Sequence, residues 1–321
     1  MAKVVDIYPV LINDHIRKLS QKSTNISKQF FPDDKECFEG SCDYVTPWKV
    51  SGSGYDNVFG LEAISKDKAI IMPSVRCFSY CRFCIRKDRQ SKNRRDMTKD
   101  DIEKLLHYLK NKNIREAVIT GGDPFVVPHI LSDIINCLQS LDHIKLIRIG
   151  TRTPVVNPDF DFDGFLSSLR KDIPIEFFVQ INHPDELNEN TKKTLRLFIS
   201  SGFRVYNQCV LLKNINDSAQ DLFNLFDELH TMGIDTIDLY HCAPIQGVGH
   251  FRTTVEKSRK IITELIRMKL HPSSVPDFIL LLGDKKSYLG KDIEIIEKTK
   301  DNLVKIRSIA KGKVSYYPDG F

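Results

Sequence analysis

Three closely spaced cysteines, Cys77, Cys81 and Cys84, are the residues of this sequence that most directly indicate chemistry. Three thiolates on one short loop can hold three corners of a [4Fe–4S] cube. Because such cubes commonly take four cysteine ligands, one iron would stay open to a substrate or cofactor. A zinc site would need a fourth ligand from elsewhere, such as His241 or Cys242, and zinc motifs usually supply their ligands as paired couples. No second couple is evident, so the spacing favours the iron–sulfur cluster over zinc.

The remaining cysteines do not extend this motif. Cys37 and Cys42 lie among acidic residues and are too few for a second cluster. Cys137 and Cys209 fall in predicted apolar elements, where a free cysteine packs as a small hydrophobic residue. The first residues show no signal-peptide pattern, because Asp6 interrupts the apolar run. No stretch reaches the run of about 20 apolar residues that a membrane span needs. We therefore expect a cytoplasmic protein without a membrane partner.

Basic residues are concentrated around the cysteine motif, although the net charge of the chain is only +5. The basic residues of this segment are Arg76, Arg82, Arg86, Lys87, Arg89, Lys92, Arg94 and Arg95. This pattern is equally consistent with a solvated basic surface and with the entrance of a pocket that attracts an anionic substrate. The modest net charge does not by itself indicate nucleic-acid binding.

The elements that must position the cysteines alternate between strand and helix. The predicted strands lie at residues 68–73, 115–120, 145–150, 175–180, 203–209 and 235–240. The predicted helices lie at residues 98–112, 128–141, 161–170, 189–201, 217–232 and 254–270. This alternation indicates parallel strands joined by helical crossovers.

The fold class that this alternation predicts is α/β. Six strand–helix units followed by an apolar run at 278–282 predict a partial (β/α)6 TIM-like barrel at residues 61–285. An N-terminal extension (residues 1–60) and a C-terminal tail (residues 286–321) flank it. An open doubly wound sheet is the competing architecture, and periodicity does not separate the two. In either case ligands bind at the carboxyl ends of the strands.

Polar residues follow nearly every predicted strand at its carboxyl end. They occur at residues 77–84, 121–123, 150–154, 182–184, 208 and 241–242. Polar groups at successive strand ends on an apolar scaffold indicate one convergent pocket.

The cysteine motif resembles the signature of the radical S-adenosylmethionine (radical SAM) superfamily, with Phe83 as its aromatic residue. The resemblance implies that SAM binds the open iron of the cluster. It also implies that an external one-electron reductant, flavodoxin- or ferredoxin-like, triggers cleavage of SAM to a 5′-deoxyadenosyl radical that abstracts hydrogen from the substrate. Gly121, Gly122 and Asp123 resemble the glycine-rich motif that contacts the SAM amino group, although Gly-Gly-Asp-Pro is also an ordinary turn.

The match extends to the lysine 2,3-aminomutase-like branch, which includes enzymes acting on free lysine, on glutamate and on a lysine of elongation factor P. The strings that carry this resemblance lie at residues 80–86, 120–123, 148–156, 182–186, 207–212 and 249–253. Their order and spacing, across about residues 57 to 285, make the resemblance more specific than any one string.

The resemblance assigns roles to further residues. Arg86 occupies the place of the arginine that holds the substrate carboxylate, a role that a guanidinium fork suits. The alternative is a surface arginine in a basic run. Thr151, Arg152, His183 and Gln208 are placed with the cofactor-binding pocket by the same analogy. His183 is equally consistent with a simple turn residue.

The chain departs from the branch where the family binds pyridoxal phosphate (PLP). Tyr288 aligns with the Schiff-base lysine, and we count Tyr288 with Arg86 as a catalytic candidate; the nearby lysines are Lys285, Lys286 and Lys291. The aspartates that hold the amino groups of lysine align with Ala243 and Leu281. The phosphate-binding positions align with Ile64, Ser65 and Lys68. PLP binding is therefore doubtful, and without an imine a 1,2-amino shift is hard.

These observations leave three functions to distinguish. The first is a radical SAM enzyme with mutase or isomerase chemistry on an amino-acid-like small molecule. The second is a PLP-independent radical SAM modification, such as epimerisation, oxidation, fragmentation or rearrangement, of an aminoacyl group on protein or nucleic acid. The third is a non-enzymatic zinc-binding module. A homo-oligomer stays open.

Overall fold

A computed structural model describes residues 2–37, 57–65, 67–87, 95–170, 172–282 and 285–320. Its main sheet has nine strands: β1 Leu61–Ser65, β2 Lys68–Ile71, β3 Glu116–Ile119, β4 Leu146–Thr151, β5 Ile175–Val179, β6 Arg204–Leu211, β7 Asp235–His241, β8 Asp277–Leu282 and β9 Lys285–Tyr288. The helices are α1 Ala2–Ile7, α2 Asp14–Ser20, α3 Thr24–Phe30, α4 Lys99–Lys110, α5 Pro128–Gln139, α6 Thr153–Val156, α7 Phe162–Ser168, α8 Glu189–Ser200, α9 Ala219–Thr231 and α10 Val255–Arg267.

The order of the strands settles the architecture. The nine strands neighbour one another in chain order, from β1 to β9. The pairs from β2 to β8 are parallel, and β1 and β9 add antiparallel edges. A doubly wound sheet would reverse its strand order at a switch point. Because this order never reverses, the sheet curls into a partial barrel, and the predicted α/β barrel is confirmed.

Each predicted strand and helix is present within a few residues of its expected bounds, because the local signals are strong. Helix α4 begins with a capping box in which Thr98 accepts from the Asp101 backbone N–H. Along β4 the residues alternate between buried and partly exposed. The buried set, which includes Ile147 and Ile149, joins the main hydrophobic core with Leu105 of α4 and Ile134 of α5.

A ladder of alternating charges crosses the sheet near the amino ends of the strands, on the face opposite the main hydrophobic core. Lys68 Nζ lies 2.9 Å from Glu116, which lies 2.8 Å from Arg148. Arg148 also reaches Glu176 at 3.2 Å, and Glu176 reaches Arg204 at 3.6 Å. This charge ladder occupies the end of the barrel opposite the cysteine loop, so the carboxyl ends of the strands are left for ligands.

The N-terminal extension forms short helices that pack against the cysteine loop. Tyr80 N donates to Leu11 O at 2.8 Å, and Arg82 N donates to Gln29 O at 2.8 Å. The Arg82 guanidinium and the Lys87 ammonium both bind the buried carboxylate of Glu36. Residues 38–56, which include Cys42, lie outside the described residues.

The C-terminal tail forms a three-stranded antiparallel sheet, β10 Ile293–Lys298, β11 Leu303–Ser308 and β12 Val314–Pro318. The residues after β12 dock on the barrel through Arg252, which is fully buried. Its guanidinium donates to the carbonyls of Cys242 at 3.0 Å, Pro318 at 2.6 Å and Asp319 at 3.0 Å. Among the described residues, no helix is both long and apolar enough to cross a membrane.

Replacing Arg252 with methionine should destabilise the protein by about 3 kcal/mol or more, because buried carbonyls lose a charged donor. The matched control is Arg307→Met, whose side chain is half exposed and pairs with Glu294 on the surface. That change should cost less than about 1 kcal/mol. Urea unfolding of the three proteins, followed by circular dichroism, measures both values. Equal midpoints for the two variants would contradict the assigned role of Arg252.

Candidate active site

The three cysteines come together on the loop that follows β2. All three thiols are free. Cys84 N donates to Cys81 O at 3.2 Å, and Arg86 N donates to the Cys84 sulfur at 3.3 Å. Burial raises the pKa of Cys84 to about 11, and the nearby Cys81 raises it too. Burial, then the charges of Asp123 and the other two cysteines, raise the pKa of Cys77.

This donor set fits three corners of an iron–sulfur cube. The thiols are close enough for their charges to interact, and burial makes an unliganded thiolate costly. A metal cluster stabilises the thiolate form that such a site otherwise disfavours. The iron–sulfur cluster at these three thiols stays a prediction.

Both ring nitrogens of His241, one of the two proposed fourth ligands of a zinc site, already have hydrogen-bond partners. The Nε2 atom of His241 lies 2.8 Å from Thr253 O, so it donates, and the Nδ1 atom accepts from the Tyr317 hydroxyl at 2.7 Å. Burial lowers the pKa of His241 to about 3. Cys242 lies in an apolar cluster with Phe83. Within the described ranges, no three His, Cys, Asp or Glu side chains are grouped to hold a single metal ion.

The two glycines of the glycine-rich motif bring the β3 loop against the cysteine loop. A Cβ on Gly122 would lie 2.1 Å from Arg76 O, and a Cβ on Gly121 would lie 2.2 Å from the Met72 side chain. Gly121 also has a φ of +127°, which glycine alone adopts readily. Gly122 N donates to Ser74 O at 2.8 Å. The motif therefore places its backbone against the segment between β2 and Cys77.

Asp123 ties this loop to the end of β4. Its buried carboxylate accepts from Phe125 N at 3.1 Å, Thr151 Oγ1 at 2.9 Å and Arg152 N at 2.7 Å. Thr151 Oγ1 in turn accepts from Thr153 N at 3.0 Å. Burial raises the pKa of Asp123, whereas these donors lower it. In this structure Asp123 thus positions the β3 and β4 loops around the cysteines.

Arg152 directs its guanidinium at the cysteine loop. Its Nη1 atom lies 2.8 Å from the Cys81 sulfur, and its Nη2 atom lies 3.0 Å from Glu186 and 2.7 Å from Gln29. The side chain is 7% exposed. Arg152 therefore links the cysteine loop, the β4 loop and helix α3.

His183 lies at the start of a 3₁₀ turn at Pro184–Glu186. Its Nδ1 atom accepts from Asp185 N at 3.1 Å, and its Nε2 atom lies 3.0 Å from the Asn25 side-chain amide. These contacts match the turn interpretation of His183, with the N-terminal extension packed against it.

Arg86 is bound by a carboxylate of the chain itself. Its Nη2 atom lies 2.5 Å from Glu62 Oε2, and the two side chains are 11% and 1% exposed. Glu62 lies on β1, at the edge of the sheet. The arginine that the family resemblance assigns to the substrate carboxylate therefore already has an internal partner.

A second polar group, the Asp238 cluster, lines the barrel on β6, β7 and β9. The Asp238 carboxylate accepts from Gln208 at 2.7 Å, from the Tyr240 hydroxyl at 2.8 Å and from Lys286 at 3.1 Å. Asp238 is 5% exposed. Tyr288 pairs with Ile279 of β8, which pairs with Tyr240 of β7, so Tyr288 shares the face of the sheet that carries this cluster. Burial, then the nearby Asp238, raise the pKa of Tyr288 to about 12. Gln208 and Tyr288 thus lie on the same face, on β6 and β9.

The lysines near Tyr288 whose side chains the structure describes are ion-paired. Lys286 is paired with Asp238, and Lys291 lies 2.7 Å from Asp277. The side chain of Lys285 lies outside the described residues. Lys68, at a phosphate-binding position of the family, belongs to the charge ladder.

The sequence prediction missed the buried polar residues that support the site. They are Gln29, Glu36, Asn182, Glu186 and Asp238. Asn182 and Glu186 stand in a string that was noted, but their burial was not foreseen. Asp238 and Tyr240 alternate with apolar residues along β7, which could have indicated an inward-facing polar row. Gln29 and Glu36 carry no comparable signal.

Comparisons with known proteins agree with this geometry. A family model described as the Radical SAM superfamily matches residues 71–226. The putative L-lysine 2,3-aminomutase of Aquifex aeolicus (strain VF5) is 32% identical over 260 residues, covering 80% of this chain and 70% of that protein. The L-lysine 2,3-aminomutase of Methanococcus maripaludis is 32% identical over 270 residues, covering 82% of this chain and 62% of that protein.

The chain thus spans about two thirds of the length of these two relatives, 62% and 70%. A solved radical SAM methyltransferase from Sphaerobacter thermophilus has a similar fold, with a TM-score of 0.51 and 15% identity over 66% of each chain. The matched cysteine motif, the sequential barrel and the identity to these relatives lead to one conclusion. The chain belongs to the lysine 2,3-aminomutase-like family of radical SAM proteins.

Proposed function

We propose that this protein is a radical SAM enzyme that abstracts hydrogen from an amino-acid-like substrate, with mutase or isomerase chemistry. The observation that carries the proposal is the grouping of three free, partly buried thiols on the loop that follows β2. A [4Fe–4S] cluster with SAM would supply a 5′-deoxyadenosyl radical there, after one electron from a flavodoxin- or ferredoxin-like donor. Cys77, Cys81 and Cys84 would be its ligands.

The chain's own residues would bind SAM and exclude water. We propose that Gly121 and Gly122 present backbone to SAM, since they already lie against the cysteine loop. Asp123 and Thr151 would hold the two loops at that spacing. Phe83, 3% exposed, closes one side of the loop against Phe251. Excluding water in this way protects a radical from side reactions.

The substrate is where the proposal departs from the relatives. A substrate carboxylate that reached Arg86 would have to compete with Glu62, which is buried and already bound at 2.5 Å. Separating a buried carboxylate from its cation is strongly unfavourable. This observation favours the second candidate function, in which the substrate is an aminoacyl group whose carboxyl is masked as an amide or ester. Such a group can be carried on protein or nucleic acid.

The cluster proposal predicts that Cys77→Ala, Cys81→Ala and Cys84→Ala each lose iron and SAM cleavage, because a cube held at two corners is unstable. Cys137→Ala is the matched control, since that thiol lies on α5, outside the site. The measurements are iron and sulfide content after anaerobic reconstitution and 5′-deoxyadenosine formed with dithionite. Wild-type iron and wild-type 5′-deoxyadenosine in Cys81→Ala would refute the proposal.

The substrate argument predicts that Glu62→Gln increases the apparent affinity for an amino acid at least about tenfold relative to its carboxamide. The reason is that the charge of Arg86 then becomes available to the free carboxylate. The measurement is the concentration dependence of 5′-deoxyadenosine formation with each compound. Glu294→Gln, which changes an exposed carboxylate, should leave the ratio unchanged. A wild-type preference for the free acid that Glu62→Gln does not alter would exclude this argument.

Since Lys286 is ion-paired with the buried carboxylate of Asp238, adding PLP to the reconstituted enzyme should give no visible chromophore that borohydride reduces. SAM cleavage should be the same with and without PLP. A reducible chromophore that disappears in Lys286→Ala and persists in Lys291→Ala would show instead that Lys286 forms an imine.

A further inference from the structure

We propose that Arg152 is a positioning residue that raises the reduction potential of the cluster through its hydrogen bond to Cys81. The inference rests on the proposed function, because it requires a cluster at the three cysteines. The Nη1 atom of Arg152 lies 2.8 Å from the Cys81 sulfur, within hydrogen-bond distance. Hydrogen bonds to the liganding sulfurs and the local net charge are among the factors that set iron–sulfur potentials.

The guanidinium is held in place from several sides. Its other terminal nitrogen donates to Gln29 at 2.7 Å and to Glu186 at 3.0 Å. The Arg152 backbone N–H donates to Asp123 at 2.7 Å. The guanidinium carbon lies 4.8 Å from the centre of the Phe30 ring and 5.2 Å from that of Phe83. These contacts leave the Nη1 atom of the guanidinium directed at the Cys81 sulfur.

The partners of the guanidinium are themselves fixed. Glu186 is fully buried and accepts from Gln29 at 2.8 Å and from Asn182 N at 3.2 Å. Gln29 also accepts from the Asn182 side chain at 3.1 Å. Because Glu186 binds Nη2 and Cys81 binds Nη1, the positive end of the buried pair faces the sulfur. The network therefore orients the Arg152–Glu186 ion pair so that the guanidinium, and not the carboxylate, lies nearest the Cys81 sulfur.

This orientation affects one electron-transfer step. The oxidised cluster, [4Fe–4S]²⁺, accepts one electron from a one-electron donor and becomes [4Fe–4S]⁺, while the donor is oxidised by one electron. No bond forms or breaks and no proton moves. The negative charge on the cluster and its sulfurs increases by one. A guanidinium, which is always protonated in proteins, therefore stabilises the reduced form more than the oxidised form. Low local polarity strengthens that effect.

The experiment compares two variants that differ only at position 152. Arg152→Gln alone would leave the buried carboxylate of Glu186 without its cation. The two variants compared are therefore Glu186→Gln and the double variant Arg152→Gln/Glu186→Gln. Each protein is reconstituted anaerobically, and iron and sulfide are counted. The midpoint potential is then measured by reductive titration, followed by the electron paramagnetic resonance signal of the reduced cluster.

We expect the double variant to be harder to reduce than Glu186→Gln by at least about tenfold in the one-electron equilibrium constant, which equals about 59 mV. The matched control is Arg148→Gln, which removes an arginine that is also paired with two glutamates but belongs to the charge ladder. Its potential should equal that of the wild type. In the same Glu186→Gln background, Arg152→Lys should give a potential between those of Glu186→Gln and the double variant, because lysine keeps the positive charge and loses the planar guanidinium geometry.

The outcomes separate this inference from the proposed function. A wild-type protein that binds no iron–sulfur cluster would overturn both. Full iron and sulfide content with equal potentials in Glu186→Gln and the double variant would overturn only the role of Arg152. Loss of the cluster in the double variant, with retention in Glu186→Gln, would also overturn it, since Arg152 would then serve assembly rather than tuning.

Discussion

The structure depends on placing three ionisable sulfurs in a partly buried loop that follows a parallel strand. Burial raises the pKa of each thiol, so thiolates form there only with compensating charge or metal. Groups from several parts of the chain approach these sulfurs. Arg152 approaches Cys81 from β4, the Arg86 backbone approaches Cys84, and Asp123 joins the loops that carry them. The barrel supplies the common edge at which these loops meet.

The same constraint explains why the N-terminal extension is part of the site. Arg82 and Lys87 flank Cys84 and are buried, so they need a counter-ion, which Glu36 supplies. Burial lowers the pKa of Lys87 to about 8, although Glu36 raises it. Helix α3 adds Gln29, which bridges Arg152 and Glu186. The helices therefore complete the polar shell behind the cysteines.

The sequence predicted the strands and helices well because their signals are local. A buried parallel strand reads as an apolar run, and a helix begins at a recognisable cap such as Thr98. The choice between a barrel and an open sheet could not be made, because strand order is a tertiary property. Glu62 and Glu36 were missed for a related reason. A carboxylate that pairs with a distant arginine looks, in sequence, like any solvated glutamate.

The two polar networks of the barrel are carried mainly on different strands, and one strand connects them. The network of Arg152 and Asp123 lies on β3, β4 and the N-terminal extension. The Asp238 cluster lies on β6, β7 and β9. The two networks meet at β6, because Asn182, which bonds Gln29 and Glu186, also accepts from Val210 N of that strand at 2.9 Å, two residues from Gln208. Residues that share a network are usually coupled, so a change in one network is expected to affect the other through this strand.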